Sequence, residues 1–291
     1  MGALGRSAQE RREEGLMLYA LCPPSGECLQ CPFRGRAIVY GPFRSRRRGV
    51  SIGINLFPGC KICSFNCIYC FRGVTEFKTL KPVEDAYGIS VKTLKQALEQ
   101  AYSALLTVES RVEALDFSGS GEPTLHARFP EMVQVALEFA RERGLSSGVG
   151  VFTNSTMLWH EGVVNALSEV EFVEAKLDTV DPEKFVAINQ PVEGLRASNV
   201  VEWLKRFRKE FSGVLAVQVM LLRYGNLVNY TEKDAENLAE ALLLVEPDVV
   251  HVYTVYRAPR LSGVLRASEE SVVAFTERIR ESGLNVRAYA R

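Results

Sequence analysis

Pro58-Gly-Cys-Lys-Ile-Cys-Ser-Phe-Asn-Cys-Ile-Tyr-Cys-Phe71 is the stretch from which the rest of the chain is read. Three of its cysteines, Cys63, Cys67 and Cys70, stand at C-x₃-C-x₂-C spacing on a short loop. Thiolates so spaced can reach three corners of one cuboidal iron–sulfur cluster, whose irons are each normally held by a cysteine sulfur. The loop offers no cysteine to the fourth iron. An iron left open can coordinate a small molecule, as a catalytic zinc does at its free position. The alternative is a structural zinc loop, which usually pairs C-x₂-C units.

The whole chain bounds this reading. Its 291 residues fit one large α/β domain, or a core domain with a small appendage, with enough length to bury a substantial core. Lys+Arg and Asp+Glu balance at 35 each, so overall charge marks neither a nucleic-acid wrapper nor a membrane-surface protein. No run of about 18 apolar residues occurs, and the start is polar, so a cytoplasmic location and no membrane partner are expected. In that reducing compartment the seven cysteines read as metal ligands or catalytic groups rather than disulfides.

Taken in order, residues 7–19 suggest one helix. Cys22, Cys28 and Cys31 follow in a Pro- and Gly-rich segment that cannot be regular helix or strand. With Cys60 they form a second candidate set, for an auxiliary 4Fe-4S cluster or a zinc ion, or else they are free reduced thiols. Cys60 is the doubtful member, because it lies three residues from Cys63. From Cys28 to Thr75 there is no Asp or Glu, while Arg34, Arg36, Arg44, Arg46, Arg47, Arg48, Lys61 and Arg72 all fall inside. This run reads as a solvated loop, as compensation for a cluster's negative charge, or as a phosphate or carboxylate site.

Beyond the cysteine loop, apolar strand patterns alternate with helical ones. Strands are expected over 50–57, 112–117, 149–153, 172–177, 214–222 and 249–255. Helices are expected over 91–106, 130–143, 161–167, 197–211, 232–244 and 268–282. Six βα units with apolar strands imply a parallel sheet covered by helices and curled into a full or partial barrel. In such barrels the working groups sit on loops after the strand C-termini. The first strand delivers the cysteine loop, and the second delivers Ser118-Gly119-Ser120-Gly121-Glu122-Pro123-Thr124. There the glycines let backbone approach a ligand and Glu122 can bind an ammonium group. The third strand ends at Asn154. The fourth ends at Lys176-Leu177-Asp178, residues that either cap the surface or line a pocket. The fifth carries Gln218, an amide that must find partners. The sixth leads to Tyr253, Tyr256, Arg257 and Arg260, a rim that could stack on and neutralise a nucleotide, or simply be snorkelling surface.

Cys63, Cys67, Tyr69 and Cys70 match the C-x₃-C-x-aromatic-C loop of the radical S-adenosylmethionine (SAM) superfamily without a gap, and the chain resembles that superfamily. Ser118–Glu122 resembles its Gly-Gly-Glu motif, with Ser120-Gly121 departing from a plain Gly-Gly pair. Together with residues 41–49, 175–178 and 188–191, these motifs look like the group related to archaeal wyosine-base (tRNA 4-demethylwyosine) synthases, over roughly residues 41–260. The resemblance implies a partial (βα)₆ TIM-like barrel over 49–291, with residues 1–48 as a Cys-containing N-terminal extension. It implies a 4Fe-4S cluster on Cys63, Cys67 and Cys70. It also implies a SAM pocket made by backbone around Tyr69 with Gly119, Gly121, Glu122, Asn154, Lys176, Asp178 and Gln218. The activity implied is reductive cleavage of SAM to a 5′-deoxyadenosyl radical, with an electron donor such as ferredoxin or flavodoxin. A tRNA or other nucleotide is the first-ranked substrate, with a peptide or metabolite close behind. The rival classes are a non-catalytic iron–sulfur carrier and a zinc-binding RNA module.

Overall fold

The computed structural model describes residues 16–22, 35–84, 88–108 and 111–290. The chain begins with β1 (Met17–Leu21), β2 (Ala37–Ser45) and β3 (Gly49–Ile54), followed by the short β4 (Ile62–Cys63) and β5 (Phe77–Lys78). Then come α1 (Val91–Thr107), β6 (Ala114–Phe117), α2 (Phe129–Glu142), β7 (Gly148–Thr153), α3 (Glu161–Leu167), β8 (Phe172–Lys176) and α4 (Pro182–Asn189). The remainder is α5 (Ala197–Glu210), β9 (Val214–Tyr224), β10 (Leu227–Val228), α6 (Glu232–Val245), β11 (Val249–Thr254), β12 (Val264–Arg266), α7 (Glu269–Arg280) and β13 (Val286–Tyr289).

The main sheet runs β1-β2-β3-β6-β7-β8-β9-β11-β13, an open path in which the six expected strands are consecutive and parallel. Parallel strands covered by crossover helices are buried on both faces, which is why β6 and β11 are buried at every position. The helices start where the sequence supplies caps. Ser90 Oγ accepts from the Thr93 amide ahead of α1, Asp181 accepts from the Glu183 and Lys184 amides ahead of α4, and Thr231 and Asp234 form a reciprocal box ahead of α6. Leu94, Leu98, Met132, Leu204 and Leu242 seal the helix faces against the sheet. Among the described residues no helix is long and apolar enough to cross a membrane.

Two sequence expectations are corrected. Residues 17–19, assigned above to the end of a helix, belong to the strand β1, which pairs in parallel with β2. Their run of apolar side chains satisfies its backbone on a sheet edge. The basic run, in turn, is not a solvated loop throughout. β2 and β3 form an antiparallel hairpin whose turn lies at the end of β3 opposite the cysteine loop, and there Arg47 and Arg48 turn into the barrel. Arg48 pairs with Asp116 at 3.1 Å, and Arg47 pairs with Glu174 and lies over the Phe152 and Tyr253 rings. Arg46 lies over the Tyr253 and Tyr289 rings, 5.1 Å from each centroid. Arg47 and Arg48 are thus committed to carboxylates inside the barrel, while Arg46 is exposed. The division expected after Arg48 falls inside this hairpin, so β2 shares the barrel's sheet.

Candidate metal centre

The loop after β3 is fastened from three sides. The Asn66 amide donates to the Asn189 carbonyl at 2.9 Å and the Ile68 amide to the Ile188 carbonyl at 2.9 Å, which ties the loop to the end of α4. Arg260 donates to the carbonyls of Cys67 and Asn66 at 3.2 and 2.9 Å, and also to Gln190 Oε1 at 2.7 Å. Lys61 Nζ donates to the Gly73 carbonyl at 2.7 Å. Phe65 packs edge-on against Phe185, ring centroids 5.6 Å apart. The Glu122 amide donates to the Ile62 carbonyl at 2.8 Å, which joins the β6 turn to the cysteine strand.

That last contact explains Gly121. Its φ is +91°, and an added Cβ would sit 1.8 Å from the Ile62 carbonyl oxygen. At Gly119 a Cβ would meet the Asn55 side chain at 2.5 Å. Both glycines therefore admit protein groups at close range, where the sequence suggested a ligand.

Cys63 and Cys67 are buried and Cys70 is half-buried. All three line one cavity with Gly119, Gly121, Glu122, Asn154, Lys176 and Gln218, which gathers most of the residues singled out from the sequence. Arg72, Lys61 and Glu174 also border it. Among the described residues, no three Cys, His, Asp or Glu side chains converge on one point as a single ion requires. Burial pushes the Cys63 thiol well above its usual range and the Cys67 thiol up to about 11, with Glu122 and Asp178 adding repulsion respectively. Metal binding here must therefore displace protons.

Glu122 is buried, and burial raises its carboxyl above the ordinary value against donors that favour the charged form. Oε1 accepts from the Thr124 amide, Thr124 Oγ1 and Thr153 Oγ1, while Oε2 accepts from the Asn154 amide at 2.6 Å. Asp178 is engaged evenly at both oxygens. Oδ2 accepts from Tyr69 Oη and Asn189 Nδ2, and Oδ1 accepts from the Met220 amide and lies 3.6 Å from Lys176 Nζ. Burial, followed by repulsion from Asp178, raises Tyr69 well above a free phenol. Lys176 Nζ donates to Gln218 Oε1 at 2.7 Å, so the amide read from the fifth strand orients the lysine.

Other expected groups are placed elsewhere. Tyr253 is buried and stacked on Tyr289 at 4.5 Å, and Arg260 is spent on the cysteine loop, which leaves Tyr256 and Arg257 exposed on the rim. Cys22 is half-buried just after β1, its amide donating to the Gly41 carbonyl, and Cys60 is buried. Cys28 and Cys31 lie outside the described residues. Asn189 was missed as a site residue, and Arg260 was read as a rim group rather than as a clamp on the cysteine loop. Asn189 stands in the Ile-Asn-Gln-Pro segment, which was noted only as a motif, and nothing local in the sequence links Arg260 to a loop nearly two hundred residues away.

A family model described as the Radical SAM superfamily matches residues 57–242. The chain is 31% identical over 222 residues to a UPF0026 protein of Methanocaldococcus jannaschii, an alignment covering 76% of this chain and 64% of that protein, just under two thirds of its length. It is 30% identical over 230 residues to a UPF0026 protein of Helicobacter pylori, covering 77% and 70%. A radical SAM methyltransferase from Sphaerobacter thermophilus has a similar fold, with a TM-score of 0.63 over 84% of this chain and 67% of that one at 16% identity.

Proposed function

The chain belongs to the radical SAM superfamily, and from that membership we propose that Cys63, Cys67 and Cys70 hold a 4Fe-4S cluster whose fourth iron is open to SAM. The observation that carries this reading is the single cavity that all three thiols share with the polar groups of the strand ends. The donor set fits the cluster. Three cysteines line one cavity and offer one thiolate to each of three irons. A cluster held by these three cysteines, once reduced by an external electron donor, would supply one electron for cleavage of SAM to methionine and a 5′-deoxyadenosyl radical.

The chain's own residues then have defined tasks. Glu122 Oε2 carries one donor against three on Oε1, so Oε2 is the place for the SAM ammonium group. Lys176, oriented by Gln218, takes the SAM carboxylate. Both oxygens of Asp178 are occupied, so its task is to fix Tyr69 and Lys176 rather than to bind a ribose hydroxyl directly. Gly119 and Gly121 keep the β6 turn close enough to the cysteine strand for Glu122 to reach the cavity.

The proposed partner is a small electron donor such as ferredoxin or flavodoxin. A tRNA or other nucleotide substrate rests on the exposed Tyr256 and Arg257 and on Arg72 at the cavity, since Arg47, Arg48 and Arg260 are committed internally. A peptide or metabolite substrate therefore ranks level with it. An auxiliary 4Fe-4S cluster or zinc ion at Cys22, Cys28 and Cys31 is part of the proposal, with Cys60, three residues from Cys63, as its weakest candidate ligand.

Anaerobic reconstitution of a Cys22→Ser, Cys28→Ser, Cys31→Ser variant tests the loop by itself. About four irons and four sulfides per chain, with a SAM-induced change in the EPR spectrum of the reduced protein, are expected. Stoichiometric zinc in place of iron, or an EPR spectrum indifferent to SAM, overturns the proposal.

A further inference from the structure

Sulfur is a weak acceptor, so an amide that points at a cysteine sulfur must be held there by a stronger bond. Asn154, at the C-terminal end of β7, and Asn189, the last residue of α4, meet this condition in the same way. They are 7% and 1% exposed. Asn154 Nδ2 donates to Ser64 Oγ at 2.7 Å and to Cys63 Sγ at 3.4 Å. Asn189 Nδ2 donates to Asp178 Oδ2 at 2.7 Å and to Cys67 Sγ at 3.6 Å. One hydrogen anchors each amide to a buried oxygen and the other faces a sulfur.

The surroundings fix which end of each amide faces the cysteine. Asn154 Oδ1 accepts from the Thr156 amide at 3.1 Å and from Thr156 Oγ1 at 2.7 Å, and a reversed amide would set its own N–H against the Thr156 N–H. A reversed Asn189 would set its oxygen against the Asp178 carboxylate. Asn189 Oδ1 is itself buried without a partner. A side chain kept only to satisfy the fold would not leave its acceptor empty while placing both donors, since an unmade buried bond is costly. This side chain is arranged around its donors.

We infer that Asn154 and Asn189 are positioning residues for the metal-binding sulfurs, donating N–H···S bonds to Cys63 and Cys67 that fix the two ligands and raise the cluster's reduction potential. The inference rests on the proposal that these cysteines hold a 4Fe-4S cluster. Reduction adds negative charge that the sulfurs share, and a donor aimed at a sulfur favours the more negative state. The two amides reach different sulfurs from different elements, so their effects are separable. Asn189 also shares Asp178 with Tyr69, so its loss removes a donor from a buried carboxylate as well.

The test is an EPR-monitored redox titration of the reconstituted full chain, comparing the natural protein with Asn154→Ala, Asn189→Ala and the double variant. At a fixed solution potential, each single substitution is expected to lower the reduced-to-oxidised ratio about tenfold, a downward shift of about 59 mV for one electron. The double variant should shift by roughly the sum. Ratios within about twofold of the natural protein, with iron fully loaded, overturn the inference. Where an alanine variant fails to hold iron, pulsed EPR of the natural protein decides, with asparagine labelled with ¹⁵N at the side-chain amide. Two resolved nitrogen couplings to the reduced cluster are expected, and their absence refutes the assignment. Iron quantification keeps the two levels apart. A natural protein that binds no iron at these cysteines defeats the parent proposal, whereas unchanged potentials in loaded variants defeat only this one.

Discussion

Gly121→Ala probes the joint between the cysteine strand and the β6 turn. The new methyl carbon would stand 1.8 Å from the Ile62 carbonyl oxygen, so one backbone segment must move by about 1.2 Å or more to restore the 3.0 Å that real contacts respect. The atom in the way belongs to the backbone, and it already accepts the Glu122 amide, so no rotamer change relieves the clash. Alanine at a φ of +91° adds about 1–2 kcal/mol of backbone strain, and overpacking at a rigid contact adds about 1–3 kcal/mol. A total of about 2–5 kcal/mol lowers the thermal midpoint by roughly 5–10 °C, taking about 2 °C per kcal/mol, the low end of the range for domains slightly smaller than this chain. Gly225→Ala is the comparison, because its φ is +58° and an added Cβ meets nothing within 4 Å. It should lose only the strain, about 1 kcal/mol. Differential scanning calorimetry gives both values and iron quantification reports the cysteine loop. Gly121→Ala melting within about 2 °C of Gly225→Ala, with full iron, would refute the claim that this glycine sets the loop's position.

Arg48→Leu leaves Asp116 buried without its cation, and removing one partner of such a pair costs about 3–5 kcal/mol. Burial already raises the Asp116 carboxyl, opposed chiefly by Arg48, and the substitution raises it further. A carboxyl whose folded value exceeds its unfolded value loses stability as pH rises through the folded value, so urea denaturation should show a smaller deficit for Arg48→Leu at pH 5 than at pH 8. An equal deficit at both pH values would contradict the pairing. In protein freed of metal, the Cys67 thiol stays protonated near neutrality because burial lifts it to about 11. Its alkylation by iodoacetamide, followed by peptide mass spectrometry, should climb about tenfold per pH unit from pH 8 to 10. A plateau below pH 9 would show a thiol that is not desolvated.

The parallel core was legible because strands buried on both faces are written as short apolar runs. β6, β7, β8 and β11 fall within a residue or two of their expected limits. The edges were not. β2 contains Gly41-Pro42 and leads straight into the turn Arg46-Arg47-Arg48, which read as loop because the sequence cannot show that Asp116 and Glu174 wait inside the barrel for Arg48 and Arg47. α4 escaped because eight residues opening on a proline leave too few turns for a helical period. At the site, residue types at strand ends pointed to the right cavity, but their division of labour depends on partners far away in sequence. Asp178 reads as a free carboxylate until Tyr69 and Asn189 are seen to occupy it, and Gln218 as a buried orphan until Lys176 meets it. The glycines of the β6 turn were rightly read as sites of close approach. The group that approaches is the Ile62 carbonyl.

The central claim is that the cysteine cavity makes the chain a SAM-cleaving protein. The most direct measurement is mass-spectrometric quantification of 5′-deoxyadenosine after anaerobic incubation of the reconstituted protein with dithionite and SAM, beside a Cys67→Ala control. The account predicts 5′-deoxyadenosine and methionine in equal amounts from the natural protein and none above background from the control. A fully iron-loaded protein that neither binds SAM nor forms 5′-deoxyadenosine would contradict the account and return the chain to the class of iron–sulfur carriers.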